Sequence, residues 1–338
     1  MRAIQIDSYG GTEVMEERQI PIPQVGPGEV MVKIAYSGIN FMDVYTRLGR
    51  YAGSGTKTGH YRVDLPLTLG IEGAGLVVAI GANVSGWRIG ERVAYALARG
   101  SYADYAVVPA WQLARVPDKI GLDQAAGSIF QGQTADYLAY DIGRLGTGRS
   151  CLVHAGSGGI GQLLIQIARS AGAIVIATAS TPEKAEVARR CGAHVVTGYA
   201  NEEYVGAVMT QTENQGVDVV FDSVGAATFQ GSIHALKRKG LFVLYGANSG
   251  PVVQFNPIDL ADNGSLYFTR PRLADYVADA DTVTLRAQRV FGALIDKTLR
   301  LDVTTSIFDF KSLGEAHRAL EERRSIGKSI LRVDSSVV

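Results

Sequence analysis

Residues 150–161 read SCLVHAGSGGIG, an apolar run that closes on Gly156, Ser157, Gly158, Gly159, Ile160 and Gly161. The spacing is G-x-G-x-x-G, and apolar residues at helical intervals (Leu163, Leu164, Ile167, Ala168) follow it. A strand, a glycine turn and a helix in that order receive the pyrophosphate of a dinucleotide. The first glycine permits the tight turn, the second lets backbone approach phosphate, and the third lets helix pack on strand. Unpaired N–H groups at the positive end of the helix then face the anion. With 40 glycines in the chain, the pattern carries weight through its placement rather than its letters.

The form of the dinucleotide is legible one strand later. Folds that select NAD usually place Asp or Glu about 20 residues beyond the glycines, on the ribose 2′-hydroxyl. Here residues 178–181 read TAST, and the first acid is Glu183. Ser180, Thr181 and Lys184 offer hydroxyl donors and a cation without a repelling carboxylate, which favours the 2′-phosphate of NADPH. Lys184 equally suits an ordinary solvated helix face.

These residues need a scaffold, and the middle of the chain supplies one. Residues 173–179 (AIVIATA), 194–198, 217–223 (VDVVFDS), 240–246 (GLFVLYG) and 265–270 read as further strands, and 217–223 and 240–246 are continuous apolar runs, as strands buried on both faces are. Helical stretches separate them; residues 181–191 form one, with proline just inside its start. The alternation predicts an α/β fold with a doubly wound parallel sheet of Rossmann type. Residues 1–122 differ. Alternating runs at 1–6, 30–35 and 75–80 predict short antiparallel strands around a short helix at 40–48. Residues 49–64 are glycine-rich and aperiodic, a loop. Near the other end, Ser312 and Glu315 have capping-box spacing before a helix, and residues 327–333 read as a closing strand. The expected division is 1–122 with 300–338 as one domain and 123–299 as the dinucleotide domain.

Composition fits an enzyme acting on small molecules. The 338 residues balance 33 basic against 33 acidic side chains, which advertises neither nucleic acid nor membrane. Two cysteines, Cys151 and Cys191, cannot build a disulfide framework; they read as small core residues in a reducing, cytoplasmic setting. No signal-peptide core or membrane-length apolar run is expected. The five histidines (His60, His154, His194, His234, His317) are scattered, so no metal is expected. His154 reads as a satisfied core residue.

Nearly end to end, the chain resembles the zinc-free quinone oxidoreductases of the medium-chain dehydrogenase/reductase superfamily. The resemblance is carried by Gly38-Ile39-Asn40-Phe41-Met42-Asp43, Tyr45, Gly49-Arg50-Tyr51, Gly70-Ile71-Glu72-Gly73-Ala74-Gly75, Gly90-Glu91-Arg92-Val93, Gly132-Gln133-Thr134, the glycine turn, Phe221-Asp222-Ser223-Val224-Gly225 and Gly264-Ser265-Leu266-Tyr267. It implies a GroES-like, mostly antiparallel catalytic domain beside the Rossmann domain. Zinc-dependent relatives carry cysteine where this chain has Asn40, histidine where it has Ile71, and a four-cysteine cluster that two cysteines cannot supply. The resemblance places Asn40, Asp43, Tyr45 and Tyr51 beside the nicotinamide. It also implies cofactor contacts from Thr134, near the start of the first long helix, Tyr199, Tyr245, Asn248 and Arg323, the last on the C-terminal helix. Two departures bear on the acceptor: extra residues at 54–63, and Gln131 where relatives often have lysine.

The chemistry implied is metal- and flavin-free hydride transfer from NADPH to a quinone, which asks the protein for positioning, water exclusion and a few donors. Asn40 offers an amide donor. Asp43 reads as a hydrogen-bond organiser, since an ordinary carboxyl is ionised at neutral pH. Tyr45 and Tyr51 offer ring faces and hydroxyls. Asn40 and Asp43 equally suit capping, and the tyrosines packing. Two other functions remain open: reduction of an activated C=C bond (an enone, enoyl or 2-alkenal substrate), and non-catalytic NADPH binding of the crystallin kind. Residues 264–270 are the expected edge strand of a homodimer, as in relatives.

Overall fold

The computed structural model describes residues 1–52, 64–301, 305–334 and 336–337. The chain divides into two compact units: Met1–Gln133 with Val277–Asp296 and Thr304–Val338, and Thr134–Tyr276 with Lys297–Val303. The division differs from the expected one. Helix Ala280–Ile295 goes with the first unit because it packs on strand Leu113–Arg115 and on the turn Ala110–Gln112. The long helix Leu122–Tyr137 holds the first boundary within its last turn.

The second unit is the expected Rossmann sheet. Its strands lie in the order Val195–Thr197, Ile174–Thr178, Ser150–Val153, Val217–Asp222, Leu236–Leu244, Tyr267–Thr269, all parallel. The central strands Ser150–Val153 and Val217–Asp222 are buried throughout, which accounts for their unbroken apolar runs. Helix Pro182–Arg190 starts at Thr181, whose side chain accepts the Lys184 N–H at 3.2 Å.

In the first unit a sheet is organised around the long strand Glu29–Ile39. It pairs antiparallel with Glu72–Ile80, with Tyr105–Pro109 and with Lys328–Arg332. Thr305–Phe308 lies parallel to Lys328–Arg332 beyond it. Ile4, Ile34, Val77, Val93 and Leu331 are among the buried side chains of its core. The capping box expected at Ser312 and Glu315 does not form. The Ser312 hydroxyl oxygen accepts the Asp309 N–H at 2.9 Å instead and donates to Asp309 Oδ1 at 2.7 Å, and Glu315 pairs with Arg318 and Arg324.

Candidate functional site

In the second unit the sequence motif becomes a tight turn between strand Ser150–Val153 and helix Gly159–Ser170. Ala155 takes a left-handed conformation (φ 53°), and Gly158 caps the helix with extended backbone. Gly161 has no room for a side chain, since a Cβ there would overlap the Ala155 carbonyl oxygen. A Cβ on Gly158 would meet only that same oxygen, at 3.3 Å, so its outward face is open to a ligand. The first-turn N–H groups of the helix have no intrahelical acceptor. Ser180 and Thr181 are exposed after strand Ile174–Thr178, with no carboxylate before Glu183. Glycine turn, donor-rich strand end and missing acid all fit an anionic dinucleotide.

A buried polar spine holds this turn from beneath. Asp222, at the end of its strand, accepts the N–H groups of Val224 (2.7 Å) and Gly225 (3.0 Å) on one oxygen. Its other oxygen accepts the hydroxyls of Thr228 (2.7 Å) and Ser232 (3.0 Å). Ser232 Oγ lies 3.0 Å from His154 Nε2, and His154 Nδ1 lies 3.1 Å from Thr178 Oγ1. Because Ser232 donates to the carboxylate, it accepts from Nε2–H, which leaves Nδ1 to accept from Thr178. Thr178 Oγ1 in turn accepts the Ala155 N–H at 3.2 Å, and the Tyr199 hydroxyl accepts it at 2.9 Å. Burial pushes the His154 pKa down, so the ring is neutral. His154 is the satisfied core residue expected.

In the first unit, three adjacent strands converge at one end of Glu29–Ile39. Asn40 follows that strand directly and caps helix Phe41–Arg47. Glu72 precedes Gly73, the partner of Ser37; Lys328 precedes Ser329, the partner of Ile39. Register therefore brings Asn40, Glu72 and Lys328 together, and they are 3 %, 0 % and 3 % exposed. Lys328 Nζ donates to Glu72 Oε2 at 2.6 Å and to Asn40 Oδ1 at 2.7 Å. Asn40 Nδ2 donates to the same Glu72 oxygen at 2.9 Å, and the Phe130 N–H reaches Glu72 Oε1 at 2.7 Å. Gly38 is required here, because a Cβ would overlap the Glu72 carboxylate.

Asp43, buried one helical turn on, accepts the Asn40 N–H (2.9 Å) and the Tyr102 hydroxyl (3.1 Å) on Oδ2. Its Oδ1 has no partner among the described residues. Burial pushes its pKa up to about 7, against the lowering effects of the Asn40 N–H, the Tyr102 hydroxyl and Lys328. The expectation of an ordinary ionised carboxyl is thus corrected: desolvation of a half-satisfied carboxylate favours the acid. Behind Tyr102 sits His317, its Nε2 at 3.3 Å from the hydroxyl and its Nδ1 at 3.2 Å from Arg47 Nη1. Burial and Arg47 hold the His317 pKa down at about 3. Arg47, fully buried, pairs outward with Glu321 at 2.7 Å.

The structure brings several expected site residues together. Tyr45 and Tyr51 meet edge to face with centroids 6.4 Å apart, and Arg50 lies over the Tyr45 ring. Asn40 and Asp43 share the start of one helix. Tyr199 reaches the glycine turn. Tyr245 and Asn248 follow strand Leu236–Leu244, where their N–H groups donate to the Asp222 and Ser223 carbonyls. Two placements are corrected. Thr134 sits in the last turn of helix Leu122–Tyr137, not near its start. Arg323 is exposed beyond helix Leu313–Glu321, with φ 57°, rather than on it. Residues 54–63 and His60 lie outside the described residues.

Sequence reasoning missed Glu72 and Lys328 as neighbours of Asn40, and Tyr102, His317 and Arg47 as neighbours of Asp43. The one available signal was Glu72, an acid inside the glycine-rich run Gly70–Gly75. Among the described residues no three His, Cys, Asp or Glu side chains group as a metal site would need, and no helix is long and apolar enough to cross a membrane. Cys151 and Cys191 are buried and unbridged.

Residues 26–118 match the family described as alcohol dehydrogenase GroES-like domain, and residues 159–276 that described as zinc-binding dehydrogenase. The two matches define a dehydrogenase built from a GroES-like and a Rossmann unit. The chain is 36 % identical to a quinone oxidoreductase of Pseudomonas aeruginosa over 331 residues, covering 98 % of this chain and 99 % of that one. It is 33 % identical to a 2-haloacrylate reductase of a Burkholderia species over 97 % of this chain and 98 % of the relative. The structure of Escherichia coli quinone oxidoreductase complexed with NADPH superposes with a TM-score of 0.92 at 33 % identity, over 98 % of this chain and 100 % of that one. The chain belongs to the quinone oxidoreductase family of the medium-chain dehydrogenase/reductase superfamily.

Proposed function

We propose that the protein is an NADPH-dependent quinone oxidoreductase working without metal or flavin. The observation that carries this most directly is the amide of Asn40, buried between Glu72 and Lys328 at the position where zinc-dependent relatives have a cysteine ligand. Bound NADPH supplies a hydride from its reduced nicotinamide. The chain's residues bind, orient and stabilise. Gly156, Ser157, Gly158, Gly159, Ile160 and Gly161 present backbone donors to the pyrophosphate. Ser180, Thr181, Lys184 and Arg323 supply donors and positive charge for the 2′-phosphate, and Thr134, Tyr199, Tyr245 and Asn248 complete the contacts. Asn40 donates to the quinone oxygen on which negative charge grows, where one well-placed donor is worth about 10²-fold in rate. Tyr45 and Tyr51, set edge to face, offer ring surface and hydroxyls to a flat acceptor, and Asp43 organises the helix that carries Asn40 and Tyr45.

Reduction of an activated C=C bond has its own support. It requires a proton on carbon, and Asp43, held at about 7, is an acid poised for neutral pH. The 2-haloacrylate reductase is a full-length relative. NADPH oxidation with 1,4-benzoquinone, 9,10-phenanthrenequinone and a 2-alkenal separates the two. The quinones are expected to turn over faster, with NADPH preferred to NADH by about 10- to 100-fold from one charge-assisted contact. Faster turnover of the alkenal, or equal use of both cofactors, would count against the assignment. We also propose a cytoplasmic homodimer, supported by the edge strand Tyr267–Thr269, whose Tyr267 is 63 % exposed. Sedimentation as a monomer at micromolar concentration would contradict it.

A further inference from the structure

Asn40 is held by two neighbours of opposite hydrogen-bonding character. Lys328 Nζ is donor-only and faces Oδ1 at 2.7 Å; the Glu72 carboxylate is acceptor-only and faces Nδ2 at 2.9 Å. Carboxamides elsewhere adopt either of two flips at little cost. Here the reversed flip would set an NH2 against the ammonium and an oxygen against the carboxylate, exchanging two charge-assisted bonds for two repulsions. The two charges also bond each other at 2.6 Å, and all three residues are at least nine-tenths buried. Helix Leu122–Tyr137 secures the remaining Glu72 oxygen through the Phe130 N–H. Nδ2 carries two hydrogens, and Glu72 takes one.

We infer that Lys328 and Glu72 are positioning residues, a buried ion pair that fixes the Asn40 carboxamide in one flip and leaves its second N–H for the acceptor. The inference rests on the proposal that Asn40 donates to the acceptor. Neither charge touches substrate; they act through the amide between them. With Lys328→Met and Glu72→Gln together the packing would be kept, but the Phe130 N–H would still hold one side-chain oxygen at position 72, so the new NH2 would face Asn40. That donor draws Oδ1 round against the single pull of the Asp43 N–H, and most molecules would present a lone pair where a donor is needed.

The single substitution Lys328→Met strands a buried carboxylate and is expected to disrupt folding, as loss of one partner of a buried pair does. The informative protein is the doubly neutral variant, Lys328→Met with Glu72→Gln, studied as full-length holoenzyme. It is expected to melt near the parent and bind NADPH within about threefold, while kcat with 1,4-benzoquinone falls at least about tenfold, a modest part of what one preorganised donor supplies. The decisive readout is a double-mutant cycle with Asn40→Ala. In the native background Asn40→Ala should cost about 10²-fold in kcat/KM. In the doubly neutral background the same substitution should cost less than about threefold, because the amide is no longer held to its task. Equal costs in the two backgrounds, or a doubly neutral variant with unchanged kcat beside a costly Asn40→Ala, would overturn the inference and leave the donor role of Asn40 standing. An Asn40→Ala enzyme as fast as the parent would overturn both.

Discussion

Two buried aspartates, one in each unit, are handled in opposite ways. Asp222 closes a strand with both oxygens filled, two backbone N–H groups on one and two hydroxyls on the other. Asp43 has the same burial, yet both its donors crowd onto Oδ2 and Oδ1 finds no partner among the described residues. Equal burial therefore goes with unequal satisfaction: four donors spread over two oxygens for one carboxyl, two donors on a single oxygen for the other. The first arrangement makes a fixed support under the glycine turn. The second makes a group whose charge changes near pH 7.

The comparison breaks most visibly at Asp222. Asp222→Ala removes the acceptor of four donors, and three of those bonds (from the Gly225 N–H and the Thr228 and Ser232 hydroxyls) are buried. At about 1–3 kcal/mol for each buried group left unsatisfied, the loss should exceed about 3 kcal/mol. Urea unfolding would measure it, and a cost below about 1 kcal/mol would mean the spine is dispensable. Asp43 sharpens the contrast through pH. Its folded pKa of about 7 lies above the ordinary 3.8, so the folded protein holds the extra proton between those values. That stabilisation is fully present below the lower value and is lost as pH rises through the higher one. Asp43→Asn stays neutral, so relative to the parent it should gain stability from pH 5 to pH 8 and level off above about 8. A difference between the two proteins that stays flat over that range would show that Asp43 is ionised throughout. The smallest effect belongs at the outer end of the Asp43 network. Glu321, 32 % exposed, pairs with Arg47 at 2.7 Å; Glu321→Gln keeps an acceptor there and should cost no more than about 1 kcal/mol. A larger loss would make the whole chain from Glu321 to Asp43 one cooperative unit.

The two networks also differ in how far the sequence discloses them. The glycine turn, the buried parallel strands and the run after residue 178 are local signals, and each fell where its spacing put it. The support under the turn follows from the fold itself, because Asp222, His154 and Thr178 end neighbouring strands of one sheet. Asp43 bonds Tyr102, which is 59 residues away, and Tyr102 meets His317 across 215. Asn40 meets Lys328 across 288 residues. No window of sequence contains those pairs. Thr134, beside Gly132, was set near a helix start by the resemblance alone. The helix runs through it, and Val290 lies so near that a Cβ on Gly132 would be 2.7 Å from its Cγ1. At Ser312 the capping spacing was present, but the hydroxyl oxygen accepts the Asp309 N–H in place of one from the first turn of the helix.

Strand Lys328–Arg332 is the last of the chain, yet it lies beside Glu29–Ile39, among the first. On the ribosome the second unit's main segment emerges whole and can fold as it appears, in keeping with N-to-C synthesis. The first unit cannot. Glu72 waits through 256 further residues for its ammonium, and until then an acid destined for a dry interior must remain in water. Translation stopped before residue 328 therefore yields a polypeptide with a finished Rossmann sheet and a first unit that has not yet closed.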